Sequence, residues 1–143
     1  GSSFGGHALY VKDRRLHYVS NYVGALEQMV VGEEDIPAGA NQILSAAFEK
    51  DGGDNVSATG LLTLYHGEKQ VGQGRIKTQL GAFAIAGEGL RTGRDGGNPV
   101  TRDYPGERPW QFTGGRLRTV AVDVSGEPYV DLEREAVAMM ARE

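Results

Sequence analysis

The stretch ATGLLTLYHGEKQVGQGRIK, residues 58–77, carries the clearest fold signal in the sequence. In its first half Leu62 and Leu64 alternate with polar and aromatic residues, which is the two-residue period of a β-strand. The triplet His-Gly-Glu at 66–68 is a turn signal, and apolar residues recur in the second half. The stretch therefore predicts an antiparallel hairpin, and an all-β chain around it.

The rest of the sequence repeats this pattern of short β-prone runs between turn residues. Residues 7–22 predict a second hairpin with Asp13-Arg14 at its tip. In residues 41–50 alanines make a helix the competing interpretation, but alternation favours a strand. Further strands are predicted over residues 24–31, 82–87, 89–94 and 115–124, the last of which has the cleanest alternation. Eight to ten such strands are typical of a β-sandwich or barrel.

The predicted fold is a two-sheet antiparallel β-sandwich of the jelly-roll, concanavalin- or laminin-G-like kind, followed by a C-terminal α-helix. We assign the sandwich to residues 7–125 and treat residues 1–6 as disordered or vector-derived. Residues 126–143 contain strong helix formers, with Asp131 as the N-cap. We expect this helix to pack its apolar stripe on the sandwich or on a partner chain. That stripe contains Leu132, Ala136 and Met140.

Composition narrows the classes of function. The 143 residues include 22 glycines, about twice the usual usage, and no cysteine. The chain therefore has no disulfide framework and no thiolate zinc site, and it is compatible with the cytoplasm. No apolar run is long enough to span a membrane and no signal peptide is visible, so the sequence predicts a soluble protein. We expect no cofactor, and neither a nucleic-acid nor a membrane partner.

Charge is distributed unevenly along the chain, whose net charge is −4. Residues 69–118 contain nine Lys and Arg against four Asp and Glu, a net of +5, whereas the segments on both sides are acidic. An acidic chain without a basic, aromatic stripe is not typical of nucleic-acid binding. The middle segment could instead face an anion, or folding could mix it into an ordinary surface.

The stretch GRDGGNPVTRDYPGERPW, residues 93–110 and hereafter the 93–110 loop, is the best candidate for a binding site. Asp95, Asn98 and Asp103 could bind calcium, although their spacing does not match an EF-hand. Alternatively, arginines could clamp an anion through bidentate contacts. In a third, purely structural interpretation the two aspartates cap turns and pair with arginines, while Gly96-Gly97 takes positive φ. The arginines of the clamp are Arg91, Arg94, Arg102 and Arg108.

Our site assignment names Arg94, Asp95 and Asp103 as ligand-binding residues, with no metal assigned and no catalytic residue. None of the three histidines has the spacing of a local zinc site. The sequence also lacks a Gly-x-Ser-x-Gly nucleophile elbow and a phosphate-binding GxxxxGK[ST] loop.

Five motifs follow one another along the chain: HYVSNY (17–22), IPAG (36–39), TLYHGEKQVGQGRI (63–76), GLRTGRDGGNPVTRDY (89–104) and FTGGRLRTVAVDV (112–124). None of these motifs is specific alone, but the ordered set is. Taken in this order, they resemble the C-terminal β-sandwich region of bacterial arylsulfatases of the actinobacterial type. The resemblance covers roughly residues 7–125 and departs from the family pattern at His66 and Thr92.

The resemblance implies a laminin-G- or concanavalin-like jelly roll that accompanies a catalytic domain. Sulfatases use a formylglycine made within a [CS]-x-P-x-R motif, and this chain contains no such motif. The expected function is therefore that of a non-catalytic accessory domain, and its expected partner is a sulfatase-type catalytic domain. The alternative is a module that binds glycans or sulfated polymers, either with or without calcium. The sequence leaves the oligomeric state open.

Overall fold

The computed structural model describes residues 1–54, 56–79 and 89–124. These residues form two antiparallel sheets of three strands each, and they contain no α-helix. The first sheet has the order β1-β2-β3 and the second has the order β4-β5-β6. The strands are β1 (Gly6–Lys12), β2 (Arg15–Tyr22), β3 (Leu26–Val31), β4 (Leu44–Gly53), β5 (Ser57–His66) and β6 (Lys69–Gln79).

Both predicted hairpins are present, with the turns at the expected residues. Asp13 and Arg14 join β1 to β2, and both have positive φ, 49° and 61°, as a type I′ turn requires. Gly67 and Glu68 join β5 to β6, and Gly67 has φ 61° at the first central position, the pattern of a type II′ turn. Each turn has two residues and sets the pairing beside it. In the β1–β2 hairpin this register continues along both strands, whereas in the β5–β6 hairpin a β-bulge between Leu64 and Tyr65 shifts it by one residue.

The sheets pack face to face around one apolar core. Leu16 and Val30 come from the first sheet, and Leu62 and Leu64 from the centre of the second. The chains of β3 and β6 approach so closely that a Cβ on Gly74 would lie 2.8 Å from Val30 Cγ2. This close approach explains why β6, whose sequence is otherwise typical of a strand, contains glycine.

A side-chain amide joins the two sheets at this contact. The Gln28 Nε2 donates to the Lys77 carbonyl at 2.7 Å, and the Lys77 backbone N–H donates to Gln28 Oε1 at 2.8 Å. Gln28 thereby pairs with the outer edge of β6 as a neighbouring strand would. Edge groups that water would otherwise solvate are satisfied within the fold.

The predicted all-β class is confirmed, and so is the strand over 41–50, where β4 and not a helix forms. Two other predictions are wrong: residues 89–94 and 115–124 form no strand, and residues 116–124 are exposed throughout. The predicted strand at 82–87 and the C-terminal helix at 126–143 lie outside the described residues, so both stay predictions. Within the ranges described, no helix is long and apolar enough to cross a membrane.

Candidate functional site

The 93–110 loop lies on the face of the first sheet that points away from the core. Strand alternation puts Leu16 in the core and His17, its neighbour on β2, on the opposite face. The Asn21 side chain on that opposite face donates to the Val100 carbonyl at 2.9 Å. Val100 and Thr101 are 3% and 2% exposed, so the middle of the loop is part of the protein interior.

Asp103 is the centre of the contact between loop and sheet. The Tyr10 hydroxyl donates to Asp103 Oδ2 at 2.6 Å, and Lys12 Nζ donates to Oδ1 at 2.6 Å and to the Asp103 carbonyl at 3.0 Å. The Asp103 backbone N–H donates to Thr101 Oγ1 at 3.0 Å. The Thr101 hydroxyl in turn donates to the carboxylate of Glu27 on β3. All three strands of the sheet therefore hold this short segment of the loop.

The pKa shifts of Asp103 and Tyr10 both favour the hydrogen bond between them. Burial by itself raises the pKa of the Asp103 carboxyl, but the hydrogen bonds from Lys12 and Tyr10 outweigh it and the net pKa is lowered. For Tyr10, burial comes first, and the hydrogen bond to Asp103 adds to it, so the pKa of the phenol is raised. At neutral pH Asp103 is thus an anion and Tyr10 a neutral donor.

His17 is packed against this network without joining its hydrogen bonds. Its ring stacks on Tyr10 with the centroids 5.2 Å apart, and its Nδ1 lies 3.7 Å from Asp103 Oδ2. That Nδ1 is buried and has no hydrogen-bond partner. Burial lowers the pKa of His17 more than the nearby Asp103 carboxylate raises it. The ring is therefore neutral above mildly acidic pH.

Asp95 supports the same loop from its other side. Its Oδ2 accepts the backbone N–H of Val100 at 3.0 Å, which closes a turn within the loop. Burial raises the pKa of the Tyr104 phenol, and the charge and hydrogen bond of Asp95 raise it further. The Tyr104 ring meets Tyr10 edge to face with centroids 4.9 Å apart. The two aspartates thus have separate sets of partners.

The structure places the three assigned ligand residues in different surroundings. The carboxylates of Asp95 and Asp103 are occupied by hydrogen bonds within the protein. Arg94 is exposed, and its backbone forms an isolated β-bridge with Gln111. Within residues 1–54, 56–79 and 89–124, no group of three or more His, Asp or Glu side chains could hold a metal ion. Ligand binding by these three residues stays a prediction.

The structural interpretation of the loop needs two corrections. Asp103 pairs with Lys12 on β1 and not with an arginine of the loop. Positive φ occurs in the loop at Gly93, Gly106 and Trp110, with 78°, 83° and 39°, and not at Gly96-Gly97. The sequence predicted an ion pair within the loop, whereas the folded chain brings Asp103 to a lysine on a distant strand. It also predicted positive φ at the glycine pair, whereas other residues of the loop adopt it.

Sequence reasoning missed Tyr10, Lys12, Glu27 and Thr101. One available signal was strand parity, which puts Tyr10 and Lys12 on one face of β1, with His17 directly opposite Tyr10 on β2. No sequence signal connects that face to Asp103, which is 93 residues from Tyr10 along the chain.

A polar cleft of about 360 Å³ opens beside this network. It lies between the β2–β3 turn and residues 98–102, and its lining residues include Glu27, Asn98 and Arg102. Arg102 is exposed, so its guanidinium is accessible to a solute. The cleft is large enough for one sugar ring and offers both donors and acceptors.

Comparison with protein-family models, with curated proteins and with solved structures found no match for this chain. The arylsulfatase resemblance therefore rests on the sequence motifs alone.

Proposed function

We propose that this chain is a non-catalytic accessory β-sandwich domain that packs against a sulfatase-type catalytic domain and supports it. One observation carries the proposal: the ionisable groups that come together, Tyr10, Lys12 and Asp103, bind one another and hold the 93–110 loop on the sheet. A carboxylate whose two oxygens both accept strong hydrogen bonds is poorly suited to act as a base or nucleophile. This arrangement suits a rigid scaffold and so supports the proposed accessory role.

The sequence motifs supply the identity of the partner in this proposal. They resemble the C-terminal region of arylsulfatases, and the chain has no [CS]-x-P-x-R motif from which the sulfatase nucleophile could be made. The proposal includes the finer jelly-roll topology and the C-terminal helix over 126–143. In it, catalysis resides in the partner domain, and the parent enzyme is a sulfuric ester hydrolase.

Two measurements test the proposal. Purified chain should not hydrolyse an aryl sulfate, and turnover that copurifies with the chain would contradict a non-catalytic role. The chain should also raise the melting temperature of an arylsulfatase catalytic domain whose own C-terminal β-domain has been removed, because a partner that binds only the folded form stabilises it. An unchanged melting temperature at saturating chain would argue against the accessory function.

A second candidate function is the binding of glycans or sulfated polymers, and the cleft beside Arg102 favours it. An exposed guanidinium next to amide and carboxylate groups can bind a sulfate ester and sugar hydroxyls together. Arg94, Asp95 and Asp103 remain the ligand residues predicted from the sequence. The cleft is lined instead by Arg102, which is not one of these three.

A thermal melt with a panel of sulfated and neutral sugars, with and without calcium, tests this second candidate. A sulfated sugar should raise the melting temperature of the wild type, and Arg102→Ala should abolish the shift. Arg116→Ala serves as the control, since Arg116 is exposed and does not line the cleft. A flat panel would remove the candidate, and an equal shift in both variants would mean that the ligand binds elsewhere.

A further inference from the structure

Among the residues that the structure describes, RLRTVAVDV has the strongest β-strand pattern outside the six strands; it spans residues 116–124 and is hereafter the 116–124 segment. Its even positions hold three valines, Val120, Val122 and Val124, which would share one face of a strand. These valines are 52%, 66% and 81% exposed. β-Branched residues in strict alternation favour a strand, but a strand is stable only when another strand satisfies its backbone groups.

The described part of the chain also contains an open sheet edge. β4 is the edge strand of the second sheet, and no described strand pairs with its outer side. Leu44 and Ala46 point toward the core, and Phe48 shares their face but remains 36% exposed. The core is therefore incompletely covered along β4. An open edge of this kind is a template for pairing with another chain.

One register would place the valines of the 116–124 segment on the same face as the apolar residues of β4. If Val122 lies opposite Ala46, the other two valines fall opposite Leu44 and Phe48, and the apolar face continues the core. This holds for both parallel and antiparallel pairing, because Val122 is the middle one of the three valines and Ala46 lies midway between Leu44 and Phe48. The pair Val122–Ala46 therefore reports the contact whichever direction the strand takes.

The segment does not pair with β4 of its own chain, although it begins nearby. Arg118 Nη1 donates to Asn41 Oδ1 at 2.9 Å, which anchors the start of the segment just before β4. From that anchor, residues 119–124 stay exposed and form no ladder. Two copies related by a twofold axis could each supply the strand that the other lacks, and the contact would then close on itself.

We propose that the 116–124 segment of one copy adds as a strand to the open edge of β4 in a second copy, forming a reciprocal dimer. Backbone hydrogen bonds along the ladder would supply affinity, and the row of valines would specify the register. This inference goes beyond the accessory function and does not depend on it.

Disulfide trapping tests the proposal directly, because the chain has no cysteine and each engineered thiol is therefore unique. An equal mixture of Ala46→Cys and Val122→Cys should form a covalent heterodimer under mild oxidation. A mixture of Ala46→Cys and Thr119→Cys is the matched control, since Thr119 belongs to the opposite face and should be trapped at least about tenfold less. Equal trapping in the two mixtures would overturn the proposal.

The double variant Ala46→Cys/Val122→Cys distinguishes one chain from two. A disulfide-linked dimer supports exchange between copies, whereas a bond closed within a monomer would mean that the segment pairs with its own β4 and would refute the dimer. Sedimentation equilibrium provides a test without cysteines. Wild type should dimerise in the micromolar range and Val120→Lys/Val122→Lys should be monomeric there; identical masses would overturn the proposal.

Discussion

At the scale of single residues, Asp103 has the largest set of specific contacts in the 93–110 loop. Its side chain is about one-quarter exposed and accepts a phenol and an ammonium donor, both at 2.6 Å. Removing an acceptor that is partly buried leaves its donors without a partner, which costs more than the hydrogen bond itself contributed. The network therefore depends on this carboxylate more than on any one donor.

We expect Asp103→Ala to lower the free energy of unfolding by about 1–3 kcal/mol, because Lys12 and Tyr10 lose their shared acceptor. Urea denaturation measures the change. Asp123→Ala removes an exposed carboxylate and should change stability by less than about 0.5 kcal/mol. Equal effects of the two substitutions would mean that Asp103 does not hold the loop.

The pH dependence of stability should have two separate parts. The pKa of His17 is lowered in the fold from 6.5, so the unfolded chain binds a proton first and stability falls as pH decreases below about 6.5. The pKa of Asp103 is lowered from 3.8, so its contribution is present above that pH and is lost at still lower pH. His7, whose pKa burial also lowers, adds to the first part.

Urea midpoints measured from pH 8 to pH 3 check this, with His17→Gln as the informative variant. His17→Gln should reduce the slope just below about pH 6.5 without removing the loss at still lower pH, since the aspartate still titrates. A slope unchanged by the substitution would show that His17 is not buried as a neutral ring.

At the scale of elements, the two hairpins show how turns limit the choice of residue. The β1–β2 turn places Asp13 and Arg14 at positive φ, although arginine has no special tolerance for that conformation. The β5–β6 turn uses Gly67, where no such strain arises. Substitutions in the β1–β2 turn can therefore relieve backbone strain and raise the stability of the protein.

We expect Asp13→Asn/Arg14→Gly to raise stability by about 0.5–1 kcal/mol, because Asn-Gly is the preferred pair in a type I′ turn. The substitution also removes the ion pair between Arg14 and Asp35, but that pair is 3.6 Å long and exposed and contributes little. Thermal and urea melts measure the gain. Gly67→Ala should act in the opposite direction by about 1–2 kcal/mol, and a gain there would refute the turn assignment.

At the scale of the whole molecule, the two sheets are held together by the apolar core and by the amide of Gln28. This amide exchanges two hydrogen bonds with the Lys77 backbone across the sheet interface. Losing the amide leaves the Lys77 backbone N–H unpaired at the junction, while the Lys77 carbonyl keeps only the longer hydrogen bond from Ser20 Oγ at 3.4 Å.

Gln28→Ala should therefore lower the free energy of unfolding by about 1–3 kcal/mol. Gln70→Ala is the matched control: Gln70 is exposed, its side chain donates to Gln73, and its loss should change stability by less than about 0.5 kcal/mol. Chemical denaturation gives both values. If the two variants were equally stable, the junction at Lys77 would not contribute to the packing of the sheets.

Local patterns in the sequence were sufficient for the all-β class, the two hairpins and their turns, and β4. Each of these depends on a period of two or on the chemistry of two turn residues, and such information lies within a few positions of the chain. The same reasoning failed at 116–124, where a good strand pattern pairs with none of the described strands. Strand propensity describes one partner, whereas a ladder needs two.

The sequence by itself determined which segments become strands in both hairpins, because alternation and turn residues act locally. Only the tertiary structure decided what Asp95 and Asp103 bind, which side of β4 has no partner among the described strands, and why β6 needs Gly74 opposite Val30. The physical reason is separation along the chain. Tyr10 and Asp103 are 93 residues apart, and no local rule specifies which buried donor a distant carboxylate will meet once two sheets have packed.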